Sequence, residues 1–231
     1  MKKNLICVIS ILFVLVGLIV TFYPEISDFV NRRNQSFVIK EYGEYVSKMP
    51  ITEKDVEINR ANAYNEELFK INDIRRAKAK FINGELDDYN SILNLHNDGV
   101  MGVLEIPKIN VELAIYHGTE GPELSVGVGH MEYTSFPTGK INTHVAICGH
   151  TALATARLLT DLDQMKNGDS FFITVLGEKY KYKVDNVDIV EPEDLECLNI
   201  IEGKEYVSLI TCTPPGVGTQ RLIVRGERVV E

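Results

Sequence analysis

From Gly99 onward, apolar and β-branched residues come in short runs separated by turn formers, and this rhythm constrains the fold of the 231-residue chain more than any other feature. The runs are "VMGVLEIPKI", "VELAIYHG", "HVAICGH", "SFFITVL", "KYKYKVDNVDIV", "EYVSLITC" and "RLIVRGERVV". They predict about seven or eight short strands at roughly ten-residue spacing, which favours a closed barrel or a sandwich over a parallel α/β sheet. "VLGEKYKYKV" reads as a hairpin across Gly177-Glu178, with Tyr180, Tyr182 and Val184 alternating along one strand. Only "TALATARLLTDLDQM", residues 151–165, reads as a helix within this block.

The remainder is of a different texture. Residues 5–22, "LICVISILFVLVGLIVTF", contain no charge, follow Met1-Lys2-Lys3 and end at Tyr23-Pro24. At about 1.5 Å per residue such a run nearly spans a hydrocarbon core of roughly 30 Å. It exceeds a usual signal-peptide core and lacks an A-x-A-like cleavage site, so an uncleaved membrane anchor is expected. Lys2 and Lys3 favour a cytoplasmic N-terminus and an outside location for the rest, although Arg32 and Arg33 follow the span. Beyond it, "ITEKDVEINRANAYNEELFKINDIRRAKAKF" predicts a helix that starts at a capping box of Thr52 and Asp55. Val56, Ala63, Leu68, Ile71 and Ile74 form its expected apolar stripe, and "NGELDDYN" ends it. The chain thus divides into an anchor (1–24), a helical spacer or lid region (25–95) and a β-rich domain (96–231).

Hydrophobic residues make up 45% and charged residues 25%, enough for a real core, while the net charge of −9 with no basic stripe argues against nucleic acid as a partner. Of the four cysteines, Cys7 lies in the apolar run, which leaves Cys148, Cys197 and Cys212. An odd number outside the membrane implies at least one free thiol. No C-x-x-C pair and no clustered histidines are present, so neither a metal nor a cofactor is expected.

A nucleophilic cysteine acts as its thiolate and needs a proton acceptor or a positive neighbour. The possible bases are His96, His117, His130, His144 and His150, of which His150 ends a strand-like run before a turn. Cys212 ends the run "SLIT" where "PPG" turns the chain; Cys148 lies two residues before His150 and shares its face of a strand. Either could be the reactive thiol or a packed one, with the turn favouring Cys212. Cys197, in "EPEDLECLN", has acidic neighbours that would raise its pKa, and reads as structural. Arg221 could hold a developing oxyanion, or be a charge guarding an edge strand.

At these residues the sequence resembles the sortases, membrane-anchored cysteine transpeptidases of Gram-positive surfaces. The T-L-x-T-C signature appears as "SLITC", residues 208–212, with Ser for the first Thr; the arginine lies in "TQRLIV" and the histidine in "AICGHT". Further similarity runs through "GVMGVLEIPKINVELAIYHGT", "GVGHMEYTSFPTGKINTHVAICGH" and "LLTDLDQMKNGDSFFITVLG", covering about residues 99–228. The resemblance is to class C, the pilin-polymerising type. It implies an eight-stranded sortase β-barrel with Cys212 as nucleophile, His150 as general acid and base, and Arg221 as oxyanion stabiliser. It also implies an LPXTG-like sorting signal as substrate, cleaved at its Thr-Gly bond, with an amine acceptor that is a pilin lysine or peptidoglycan. Class C enzymes commonly carry an Asp-Pro-aromatic lid triplet; none occurs between residues 50 and 98, since "ELDDYN" lacks proline, so a lidless or differently gated site is expected. A cysteine hydrolase and an inactive peptide-binding barrel are the alternatives to transfer.

Overall fold

The computed structural model describes residues 2–230; Met1 and Glu231, which bound the first and last expected segments, lie outside the described residues. Three helices, α1 (Lys2–Lys48), α2 (Ile51–Ile71) and α3 (Ile74–Ile82), precede eight strands. These are β1 (Val100–Ile106), β2 (Val111–His117), β3 (Val128–His130), β4 (Thr143–Cys148), β5 (Ser170–Val175), β6 (Glu178–Val190), β7 (Glu205–Thr213) and β8 (Gln220–Arg228). They close into a barrel in the order β1-β2-β3-β4-β7-β8-β6-β5. The pairs β2–β3 and β4–β7 are parallel and the rest antiparallel. Of the two architectures left open by the strand rhythm, the barrel is the one formed.

Closure leaves no open sheet edge, so Arg221 on β8, flanked by β6 and β7, is not an edge-guarding charge. Most of β1 and β7 is buried on both faces, one turned to the barrel interior and the other covered by helices or loops. Met101, Leu104, Ile115, Ile147, Phe171 and Tyr182 are among the fully buried side chains.

From Ile9 to Phe22 the apolar run is exposed, and its helix is long and apolar enough to cross a membrane by length and composition. Its helix does not stop at Tyr23-Pro24: α1 continues through Pro24 to Lys48. The buried positions Asp28, Asn31, Gln35, Tyr42 and Val46 recur every three, four or seven residues and lay one face of α1 along the barrel. Polar groups on that face fasten it. Asn31 Nδ2 donates to Val126 O (3.1 Å), Gln35 Oε1 accepts from Ala114 N–H (2.8 Å), and Tyr42 bonds Met101 O (2.9 Å) and Leu176 N–H (2.9 Å).

Three local expectations fail for identifiable reasons. The helix expected from Thr52 to Phe81 is two helices, because Asn72 takes the left-handed conformation (φ 44°) and Asp73 caps α3 by accepting from Arg76 N–H (2.9 Å). No side chain caps α2, which starts behind Pro50; Val56 is exposed, and the buried face runs through Ala61, Tyr64, Asn65 and Leu68. Residues 151–165 form turns with only a 3-10 turn at Leu162–Gln164. Ala152 (φ 57°) and Leu158 (φ 39°) are left-handed, which a right-handed helix through these residues does not permit, and Leu158 and Leu159 are both drawn into the core. The β5–β6 hairpin turns on Leu176-Gly177, one residue before the expected pair.

Candidate active site

The β4, β7 and β8 strands lie side by side, and their alternate residues form rows across one face. Cys148, Ile210 and Ile223 make one such row, since Cys148 pairs with Ile210 and Ile210 with Ile223. The next row holds Cys212 directly opposite Arg221. The β4–β7 register carries on past β4, as Gly149 N–H donates to Ile210 O (3.0 Å) and Thr211 Oγ1 donates to Gly149 O (2.7 Å). Continued one residue further, that register would set His150, two residues past the end of β4, level with Cys212 and Arg221.

Local sequence explains each placement. After Thr213 the chain reverses through Pro214–Thr219, with Gly216 (φ 76°) and Gly218 (φ 69°) left-handed and Gly218 N–H bonded to Pro214 O (2.9 Å). This turn returns Arg221 beside Cys212. A β-carbon on Gly218 would make ordinary van der Waals contact with Cys212 (3.5 Å from Cβ, 3.9 Å from Sγ), so this glycine serves the left-handed turn rather than space beside the thiol. Arg221 Nη1 donates to Gly218 O (3.0 Å) and Gln220 O (3.1 Å), which orients the guanidinium and leaves Nε and Nη2 uncommitted. Gly149 has no room for a side chain: a β-carbon would meet Leu159 Cδ1 at 2.7 Å and Val128 Cγ1 at 2.9 Å.

The other candidate histidines are used elsewhere. His130 is fully buried, with its ring between Tyr89 Oη (3.1 Å) and Ser135 O (2.8 Å). His144 is buried against Asn199 O (3.0 Å) and Ser208 Oγ (2.9 Å), and His117 contacts Gly99 O and Ile92 O. His96 is exposed and sits edge-on to Tyr45. His150 is also exposed, and its ring makes no hydrogen bond among the described residues. No carboxylate orients it, unlike the histidine of a Ser-His-Asp triad.

Three free thiols are described, and they differ in character. Burial, then the charge of Glu132, pushes the Cys148 thiol up to about 12 despite the opposing pull of Arg221. Burial and, after it, Asp194 raise Cys197, whose Sγ donates to Asp194 O (3.4 Å). Cys212 is half-buried at the end of its row, beside a guanidinium. Among the described residues no group of His, Cys, Asp and Glu is arranged to hold a metal ion.

Two features escaped the sequence reading. Glu132, just beyond β3, accepts from Thr119 N–H (3.4 Å) and Oγ1 (3.3 Å) and charges the surroundings of Cys148. Ile74, the first residue of α3, is buried in one apolar cluster with Ala146, Leu198, Ile210 and Ile223. It therefore covers the row next to Cys212 and Arg221; its place in the expected apolar stripe gave its burial but not the face it is buried against. An apolar residue directly after a capping Asp was the available signal.

The sortase domain model matches residues 104–229. The chain is 39% identical to the crystal structure of sortase C1 from Streptococcus agalactiae, with a TM-score of 0.74 over 84% of this chain and 98% of that one. Sortase C of Clostridium perfringens, solved with the C-terminal cell wall sorting motif, is 39% identical with a TM-score of 0.71 over 85% of this chain and all of that one (100%). A curated relative, sortase A of Streptococcus agalactiae, is 32% identical over 135 residues, 57% of this chain; the match spans about half that relative's length (54%). With the family's domain model over more than half its length and the barrel of two solved sortases, the chain belongs to the sortase family.

Proposed function

We propose that this protein is a cysteine transpeptidase that cleaves an LPXTG-like sorting signal and passes the acyl group to an amine, the lysine of a pilin subunit. The supporting observation is Cys212 paired directly opposite Arg221, with the Gly149 peptide next to His150 bonded to the same β7 strand. In the first step the Cys212 thiol gives its proton to His150 and its sulfur attacks the carbonyl carbon after Thr. Charge develops on the carbonyl oxygen, within reach of the uncommitted donors of Arg221. The C–N bond then breaks, His150 returns the proton to the leaving amine, and a thioester remains. An incoming amine attacks the thioester, loses a proton to His150, and releases the Cys212 thiol as the new amide forms. Transfer to peptidoglycan is the alternative acceptor.

In this reading residues 5–22 hold the enzyme in a Gram-positive cell membrane by a single span, with the barrel outside. The sorting motif bound to Clostridium perfringens sortase C is the substrate chemistry adopted here. The test uses the full chain in detergent with LPXTG-type peptides and an amine, followed by mass spectrometry. A thioacyl adduct on Cys212 and an amide product are expected, and Cys212→Ala should remove both. Adduct persisting in Cys212→Ala but lost in Cys148→Ala would assign the wrong thiol, and free acid at every amine concentration would make the enzyme a hydrolase.

A further inference from the structure

We infer that Asp28, on the helix that carries the apolar run, is a positioning residue for His150. This rests on the acid–base role proposed for His150. The ring of that histidine makes no hydrogen bond among the described residues, so its place depends on the backbone around it. On the N-terminal side Gly149 is bonded to β7. On the C-terminal side lies the irregular segment 151–161, which must be held by other means.

Ala152 N–H to Thr160 Oγ1 (3.1 Å) and Thr160 N–H to Arg157 O (2.7 Å) brace the segment internally, and two further bonds tie it to the histidine and to α1. Leu159 N–H donates to His150 O (3.2 Å), which closes the segment back on the histidine. Arg157 N–H donates to Asp28 Oδ1 (2.8 Å), which ties the segment to α1. Asp28 is only 6% exposed, and its second oxygen faces Arg32 Nη2 at 3.1 Å. The Arg157 side chain is engaged separately, by Asp161.

Between the two fastened amides stands Leu158, buried and held at φ 39°. A branched residue in that conformation persists only when its surroundings over-determine it. The Asp28 carboxylate is one of those surroundings, and it lies six residues beyond Phe22, the last residue of the apolar run. The helix that anchors the enzyme thus reaches His150 through one carboxylate, one amide and one carbonyl.

The experiment uses the full chain in detergent, comparing wild type with Asp28→Ala, Asp28→Asn and Arg32→Ala. Cys212 alkylation by iodoacetamide is followed against pH by peptide mass mapping, together with kcat and KM for a sorting peptide. Asn keeps the acceptor for Arg157 N–H, whereas Ala removes it. Asp28→Ala should lower kcat about tenfold with KM within about twofold, because a base displaced by a fraction of an ångström works poorly. It should also move the alkylation profile to higher pH, as the base that takes the Cys212 proton is displaced while Arg221, Cys148 and Glu132 stay in place. Asp28→Asn and Arg32→Ala should behave as wild type.

Identical profiles for Asp28→Ala and wild type, or equal losses in the Ala and Asn variants, would overturn the proposal. If Asp28→Ala does not fold, Asp28→Glu displaces the acceptor by one methylene; a smaller shift in the same direction supports the role, and an unchanged profile overturns it. Alkylation needs no substrate, so the two readings fail separately. A wild type inert toward sorting peptides whose alkylation profile still moves in Asp28→Ala would remove the transpeptidase and keep the coupling.

Discussion

Two thiols stand one row apart on the same face, and their surroundings give them opposite chemistry. Cys148 is held near 12 by burial and by Glu132, so almost none of it is thiolate at neutral pH. Cys212 has a guanidinium directly across the strand pair. Cys148→Ala should therefore keep at least about half of the wild-type transfer rate, since a small buried thiol packs much as a small apolar residue does. Iodoacetamide mapping at pH 8 should modify Cys212 well ahead of Cys148; equal labelling would mean that Cys148 is not sealed. At this scale the sequence was legible wherever a motif residue sits on a strand end beside a turn. It was silent on Thr211 and Glu132, whose importance comes from a parallel pairing and a cross-loop contact that no local pattern announces.

The least legible element is α3. Its sequence, "IRRAKAKFI", reads as the tail of a longer charged helix, yet the break at Asn72 turns it onto the barrel with Ile74 inward. An alternation of apolar and charged residues gives a helix but not its docking partner, and the partner here is the face that carries the site. No Asp-Pro-aromatic triplet lies between residues 50 and 98, and α3 covers the neighbouring row. Burial of one isoleucine is worth about 1.5–3 kcal/mol. Ile74→Glu should release α3, which would increase turnover of a sorting peptide by about threefold or more if access limits the rate. The measurement pairs peptide turnover with limited proteolysis at Arg75 and Arg76; faster cleavage without faster turnover would show that α3 does not obstruct the substrate. The strands were far better foretold, because an alternating run carries both its own identity and the side it buries. The exception was 151–165, where helix-forming composition lost to left-handed backbone at Ala152 and Leu158 and to leucines drawn into the core.

Across the whole molecule, closure of the barrel stores two neutral histidines in its walls. Burial, only partly offset by the carbonyl of Ser135, holds His130 down at about 3, and burial against the Asn199 carbonyl holds His144 at about 4. In the unfolded chain both titrate near 6.5, so below that pH the unfolded state takes up protons that the folded state refuses. Stability should fall as the pH drops from about 6.5, by roughly 1.4 kcal/mol per unit for each histidine, until the folded values are reached. Glu205, whose carboxyl is raised by burial, acts in the opposite sense between its ordinary carboxylate range and its raised value, and offsets part of the loss. Urea unfolding between pH 7 and 4.5 should show a falling midpoint, and a flat profile would mean that these imidazoles are not neutral. The barrel itself was foreseeable from strand rhythm, but which strands would be parallel was not, since pairing partners are set by loops that span tens of residues.

The unbroken course of α1 has one more effect, which is geometric. A flexible tether would let the barrel tumble, whereas a helix sets its facing and its height as two separate coordinates. Each residue added between Phe22 and Asp28 would turn the barrel by about 100° around the helix axis while lifting it only about 1.5 Å. Seven added residues would bring it back to within about 20° of its original facing but raise it by roughly 10 Å. With residues 5–22 set in a membrane, as proposed above, the compass bearing of the catalytic mouth and its altitude are both encoded in the count of residues along one helix.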